Sequence, residues 1–253
     1  PITGAPVQEI DAKDKIQNAA VIAADYIGLK PRLLVQEGDA VGAGAPVFFH
    51  KDTPDVMVTA PVSGRVKAVN RGARRVLISV EIEVDASAAD PVDFSDVGDA
   101  ATPEGLTERL CASGLWTSFR TRPYSKVPDP DSRPAAIFVT AMDTEPLTAD
   151  PTIVIADQAE AFEKGLAAVA TLSSGKTYLC CETGANVPGL TMPGIEVAGF
   201  SGPHPAGLAG THIHFLDTPS AEKTVWTIGY QDVIAIGRLL ETGKLDSSRI
   251  IAL

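Results

Sequence analysis

The chain is short of cations, aromatic residues, cysteine and long apolar runs, and each shortage removes a class of function. Lys and Arg number 21 against 32 Asp and Glu, a formal net charge of −11, and aromatic residues fill 6% of the 253 positions. The charge argues against nucleic acid as a partner, because phosphate binding needs a basic footprint. Cysteine occurs three times, at Cys111, Cys180 and Cys181. An odd count with a vicinal pair in an apolar run reads as free thiols of a reducing compartment. Neighbours on a strand face opposite ways, so Cys180 and Cys181 are badly placed to bridge each other. No apolar run approaches the ~20 residues that a membrane span needs. Neither a Gly-x-Ser-x-Gly elbow nor a His-Glu-x-x-His helix occurs, so no catalytic constellation is legible.

Apolar residues make up 45% of the chain, enough for a real core. The few cations cluster at Arg65, Lys67, Arg71, Arg74 and Arg75, and again at Arg120, Arg122, Lys126 and Arg133. Either cluster could bind an anion, but the first follows a turn and reads as a solvated rim.

Residues 30–84 show short apolar runs punctuated by Gly38, Gly42 and Gly44, as in a string of β-hairpins. From Val76 to Val84 apolar residues alternate strictly, which predicts a half-buried strand with Val76, Ile78, Val80, Ile82 and Val84 inward. The pattern Gly38-Asp-x-Val41, Gly44, Val47 and Ala60-Pro-x-x-Gly64-x-Val66 resembles the lipoyl/biotinyl carrier fold, a small β barrel-sandwich. Carriers offer a modifiable lysine at a hairpin tip. Here the tip reads Thr53-Pro54-Asp55 with Lys51 early, so the fold is expected without the carrier chemistry.

Residues 85–102, rich in Ala, Asp, Ser and Pro, read as a linker. A helix is expected from Thr102 as N-cap and Pro103 to Gly114, followed by a loop from Leu115 to Pro128. Strands are expected at 135–141, 153–155, 177–181, 195–200 and 225–228, those at 135–141 and 177–181 of the buried kind, and helices near 157–172 and 230–240. Strands interleaved with helices make an α/β layered domain. The expected division is a β domain over 1–100 and a Rossmann-like α/β domain over 101–253. The run Arg249-Ile-Ile-Ala-Leu253 looks like a cut strand, so continuation beyond this chain is expected.

Three of the four histidines lie in Phe200-Ser-Gly-Pro-His204-Pro-Ala-Gly-Leu-Ala-Gly-Thr-His212-Ile-His214-Phe215. In an extended segment His212 and His214 would share a face and could chelate a metal. No cysteine or carboxylate is near to complete a tetrahedral site. A tight turn with locally bonded histidines is therefore the reading taken, with no metal.

Four stretches together resemble the A-type subunits of the bacterial sodium-translocating NADH:quinone oxidoreductases: 113–128, 138–146, 202–215 and 226–235. The resemblance implies the N-terminal portion of a peripheral subunit on the cytoplasmic face of the inner membrane. Its partners would be the other subunits, especially a quinone-reactive membrane subunit. NADH, flavins, iron–sulfur and quinone would belong to the complex. That family is distantly similar to the flavin domain of the NADH-binding subunit of complex I, where a Ser-Gly-Leu segment opens a glycine-packed flavin loop. After Ser113-Gly114-Leu115 this chain has no glycine up to residue 128. Trp116, Phe119, Arg120 and Tyr124 are expected to screen the backbone from a phosphate. The chain itself is thus read as cofactor-free, in a docking and supporting role with a quinone contact. Trp116, Phe119, Tyr124 and His212 are the candidates for that contact, since quinone rings favour aromatic walls with a polar tip. The alternative is a flavin- and NADH-binding redox subunit, with Arg120 and Arg122 clamping the phosphate.

Overall fold

The computed structural model describes residues 7–11, 15–28, 30–220 and 223–252. Its first half is β: β1 (Asn18–Ile22), β2 (Pro31–Leu33), β3 (Ala40–Val41), β4 (Pro46–His50), β5 (Thr53–Thr59), β6 (Gly64–Arg71) and β7 (Leu77–Val84). They form a four-stranded sheet in the order β1-β7-β6-β3 and a three-stranded one in the order β2-β4-β5. Between the sheets lies an apolar core around Phe48, Val58, Val66, Val80 and Ile82. This is the expected barrel-sandwich. Two details differ from the sequence reading. The alternation in β7 is broken, because Asn70 pairs with Ser79 while Arg71 pairs with Leu77, so Ile78 is bulged out. Leu77 takes the inward place, and Val76 and Ile78 stand outside, 63% and 50% exposed. The β4–β5 turn is also placed earlier: His50 pairs with Thr53, so Lys51 and Asp52 form the tip and Thr53 already belongs to the strand.

The expected linker is ordered against the second half. Phe94 is buried in the larger core, and its N–H donates to Gly243 O at 2.7 Å. The buried guanidinium of Arg109 donates to the carbonyls of Ser95, Val97 and Gly98 at 2.7–2.8 Å.

The second half comprises α1 (Pro103–Ser113), a 3₁₀ turn (Leu115–Ser118), β8 (Arg120–Arg122), β9 (Ala136–Ala141), α2 (Pro151–Asp157), α3 (Ala159–Thr171), β10 (Lys176–Glu182), β11 (Ile195–Phe200), α4 (Ala209–Leu216), β12 (Val225–Gly229) and α5 (Tyr230–Thr242). Helix α1 begins as its sequence dictates: the Thr102 side chain accepts from Gly105 N, with Pro103 in the first turn and Gly114 left-handed at the end (φ 85°). The strand expected at 153–155 is instead part of α2. Asp150 caps it by accepting from Thr152 N, and Pro151 opens it, a start signal that outweighs the β-branched run. The loop expected from 115 to 128 contains the 3₁₀ turn and β8.

The sheet runs β11-β10-β9-β12-β8, with only β8 antiparallel. Its central strands are buried on both faces. Ile137, Val139, Leu179 and Cys181 meet the core under α3 and α5, whereas Phe138, Tyr178 and Cys180 meet a smaller cluster with Ile213 of α4. Cys180 and Cys181 therefore point into different layers, and all three cysteines are free and buried. Helices α3 and α5 cross at backbone contact: a Cβ on Gly237 would lie 1.7 Å from Ala161 O, and one on Gly165 2.0 Å from Val233 O. Arg249 to Ala252 form no strand; Leu253 lies outside the described residues.

Candidate functional site

Strand β9 is followed on one side by β10 and then β11, and β12 returns on its other side. The order reverses between β9 and β12, and open α/β sheets take ligands outside the carboxyl ends of their parallel strands. Here the loops after β9, β10 and β11 enclose a crevice of about 260 Å³, lined by Ala141, Asp143, Glu145, Leu147, Glu182 and Gly202, among others. Its wall is locally bonded. Asp143 accepts Glu145 N (2.8 Å) and the Thr148 hydroxyl (2.9 Å), so this carboxylate caps its own loop. Leu147 sits at the mouth with φ 62° and a 63% exposed side chain.

The histidine-bearing stretch folds onto the same crevice. Gly207 N donates to Thr144 Oγ1 at 2.9 Å. A Cβ on Gly207 would stand 2.7 Å from Thr144 N, so only glycine allows the approach. The pairing of His212 with His214 does not occur. Residues 209–216 form α4, where a two-residue step turns the side chain to the far side of the helix. His212 is fully buried and His214 exposed. The His212 ring lies 4.3 Å from that of Phe200. Its Nε2 is 2.9 Å from Ala206 O, which only accepts, so Nε2 carries the proton and Nδ1 is bare. Nδ1 is buried with no partner among the described residues. Burial holds the His212 pKa below its ordinary value, against the pull of the Ala206 carbonyl. Among the described residues no three His, Cys, Asp or Glu side chains converge as metal ligands.

The other sequence candidates are dispersed. Trp116 and Phe119 are fully buried and form an aromatic trio with Trp226, its ring centroids 5.4–5.6 Å apart. Trp116 Nε1 donates to Pro128 O at 2.9 Å. Tyr124 lies on an exposed turn with φ 82°, 76% exposed. None of these three, nor His212, lines the crevice.

The segment that would face a flavin phosphate is closed, though not as expected. Trp116 and Phe119 turn inward and do not screen the backbone; the turn's own bonding does. Gly114 N donates to Cys111 O, Thr117 N to Gly114 O and Phe119 N to Trp116 O. A Cβ on Gly114 would lie 2.7 Å from Thr59 Oγ1 of β5, so strand β5 occupies the space beside this glycine. Arg120 donates to the carbonyls of Thr117 and Phe119, and Arg122 to Ser125 Oγ. Three amides of the turn are thus spent on its own carbonyls, and Thr59 fills the space beside Gly114, which does not fit a glycine-lined phosphate cradle.

A larger cleft, about 640 Å³, opens between the β domain and α1, and sequence reasoning missed it. Met57, Val92, Phe94, Cys111 and Ala112 line its apolar wall, with Asp55, Glu104 and Glu108 at the rim. Burial pushes the Cys111 thiol up to about 12, and the charge of Asp55 adds to it. No local motif marks such a cleft, because its walls come from segments far apart in sequence.

The chain matches two family models: the NqrA N-terminal barrel-sandwich hybrid domain over residues 1–85 and the NqrA second alpha/beta domain over residues 101–245. It is similar along its whole length to proteins named as the A-type subunit of the Na(+)-translocating NADH-quinone reductase. Identity is 51% over 257 residues with that of Serratia proteamaculans, 52% over 255 with that of Saccharophagus degradans and 49% over 257 with that of Pseudomonas aeruginosa. It spans 57% of the length of each of these relatives. With both domains matched in chain order, the chain belongs to the NqrA family.

Proposed function

We propose that this chain is the N-terminal portion of the NqrA subunit of a sodium-translocating NADH:quinone oxidoreductase. It would sit peripherally on the cytoplasmic face of the inner membrane. We further read its role as docking and support without a prosthetic group of its own, through a β unit (1–100) and an α/β unit (101–253). Identity near one half along the whole chain supports membership of the pump. Among the described residues no helix is long and apolar enough to cross a membrane, which fits a peripheral place. The observation that supports the cofactor-free reading is the turn at Gly114, where the amides of Gly114, Thr117 and Phe119 are bonded locally and Thr59 is packed against the glycine. NADH, flavins, iron–sulfur and quinone then belong to the other subunits, and electrons pass between groups that this chain helps to align.

The quinone contact is part of the proposal. The 640 Å³ cleft suits a quinone ring better than the four aromatic and histidine candidates do, since it is of ligand size and open, with an apolar wall and a charged rim. Two measurements test the reading. Removing this protein from the intact complex should abolish sodium-dependent quinone reduction by NADH; unchanged activity would defeat the pump assignment. A photoreactive quinone applied to the complex should label residues around Met57 and Cys111. Labelling confined to other subunits removes the contact.

A flavin-bearing subunit is the second reading, and one observation favours it: Arg122 Nε is buried with no partner among the described residues. The absorption spectrum of the purified chain separates the two. A flavin band at one-to-one occupancy would establish the second reading and end the first.

A further inference from the structure

The β6–β7 hairpin is a cationic tip on a strongly acidic chain. Arg71, Arg74 and Arg75 are exposed there, and none of them makes an ion pair among the described residues. Two carboxylates beside the end of β6 are engaged elsewhere: Glu37 accepts Val69 N at 3.0 Å, and Glu81 accepts the Asn70 amide at 2.6 Å. Two aliphatic side chains flank the arginines on the water side, Val76 at 63% and Ile78 at 50% exposure. The bulge in β7 is what turns Ile78 outward, away from the core that its place in the alternation implies.

The tip is also built rigidly and against conformational preference. Arg74 and Arg75 both have positive φ, 54° and 61°, a region that glycine and asparagine enter more easily than arginine. The turn is closed by Gly72 N to Val76 O (2.8 Å), Arg75 N to Gly72 O (3.1 Å) and Arg71 Nη1 to Arg75 O (3.1 Å). Strained backbone at an exposed tip persists where the side chains it presents have a use.

Cations with exposed aliphatic neighbours at one hairpin tip match the interfacial layer of a bilayer. Guanidinium groups bind lipid phosphates in a bidentate way, and short aliphatic chains enter the boundary beneath them. We propose that this hairpin, through Arg71, Arg74, Arg75, Val76 and Ile78, docks on the anionic phospholipid surface of a membrane. The proposal stands on the hairpin alone and does not require the assignment to the pump.

Flotation of the full chain with lipid vesicles tests it. Vesicles of mixed phosphatidylglycerol and phosphatidylcholine should carry the chain at low ionic strength, and pure phosphatidylcholine should not. Raising the salt should release it, because screening shortens the reach of the arginines. Each arginine near an anionic leaflet is worth roughly a fivefold gain in partition, so R74G/R75G should weaken partition about twenty-five-fold. Glycine enters the positive-φ region freely, so that variant keeps the turn, and an unchanged unfolding midpoint confirms that it is folded. V76S/I78S should weaken it as well without altering the salt response. Equal flotation of the parent chain and R74G/R75G overturns the proposal, as does equal affinity for neutral and anionic vesicles. If the chain ignores both kinds of vesicle while R74G/R75G weakens assembly with another protein of the complex, the hairpin is a protein contact and the membrane reading is wrong.

Discussion

The hydroxyl of Thr59 donates to the carbonyl oxygen of Ser113 across 2.9 Å, with both residues buried. This bond fastens the end of β5 to the end of α1, and so the β unit to the α/β unit. T59V keeps the shape and deletes the donor, leaving the Ser113 carbonyl buried with one partner fewer. The expected loss is about 1–3 kcal/mol, read from the midpoint of denaturant unfolding. G114A should cost more than T59V, because it adds a left-handed alanine to a 2.7 Å clash with the same hydroxyl. An unfolding midpoint unchanged in both variants would mean that the two units are held elsewhere.

Two helical glycines, Gly237 at the crossing of α3 and α5 and Gly210 in α4, carry predictions of opposite sign. G237A would place a methyl 1.7 Å from Ala161 O, a backbone atom that moves only with its helix. It should destabilise by about 3 kcal/mol or more, or prevent folding. G210A, at an exposed position in α4 with nothing within 4 Å of the added carbon, should be neutral or stabilise by up to about 1 kcal/mol. Thermal unfolding of the two variants gives both signs, and a destabilised G210A would contradict the open surroundings of that residue.

His212 gives the fold a pH dependence of known sign. Its folded pKa is depressed by burial, so the unfolded chain takes up a proton first as pH falls. Above about pH 6.5, the ordinary histidine value, the group is neutral in both states and changes nothing. Below it, stability should decline with a slope of up to about 1.4 kcal/mol per pH unit until the folded pKa is reached. No described residue accepts a proton from Nδ1, so the buried cation has nothing to relieve it. H212F should flatten the dependence between about pH 6.5 and 5. A wild-type curve that is already flat there would show that protonated His212 is accommodated.

The three thiols should report unfolding, not chemistry. Burial pushes Cys111 and Cys180 up to about 12 and raises Cys181 too. Thiolates, the reactive form, are therefore scarce at neutral pH. Ellman's reagent should find none of the three in the native chain and all three in denaturant, at a rate set by opening of the structure. Rapid native labelling of one thiol would place it on an accessible surface.

Legibility in the sequence followed the range of the physics involved. Helix α1 was readable because Thr102, Pro103 and Gly114 act within one or two turns of their own position. Cys180 and Cys181 were readable because strand alternation alone separates them. Residues 153–155 look like a strand because all three are β-branched and apolar; the helix shows only once Asp150 is recognised as a cap. The face of Ile78 depends on a bulge across from β6, and that pairing is invisible along one strand. Trp116 and Phe119 look like ligand walls in a loop of mixed character; they are core because Trp226, over a hundred residues on, packs against both. The crevice followed from no motif, since its residues are gathered by the order of strands in the sheet. Asp143, Thr144 and Gly207 meet only because β9 and β11 both end there.

That meeting can be broken at one atom. The Thr144 hydroxyl accepts from Gly207 N at 2.9 Å and lies 3.4 Å from His204 Nδ1, so it ties the turn after β11 to the loop after β9. T144V removes the acceptor and keeps the bulk, leaving Gly207 N without that partner beneath the turn. The global fold should survive, because the sheet and its helices do not rely on this contact, and the overall loss should stay within about 1–2 kcal/mol. Hydrogen exchange should show the local effect, with amides of 202–208 losing protection while those of β9 and β10 keep theirs. G207A should give the same local signature by pushing the turn off Thr144. Loss of protection spread evenly through the sheet would mean that the crevice wall is part of the cooperative core.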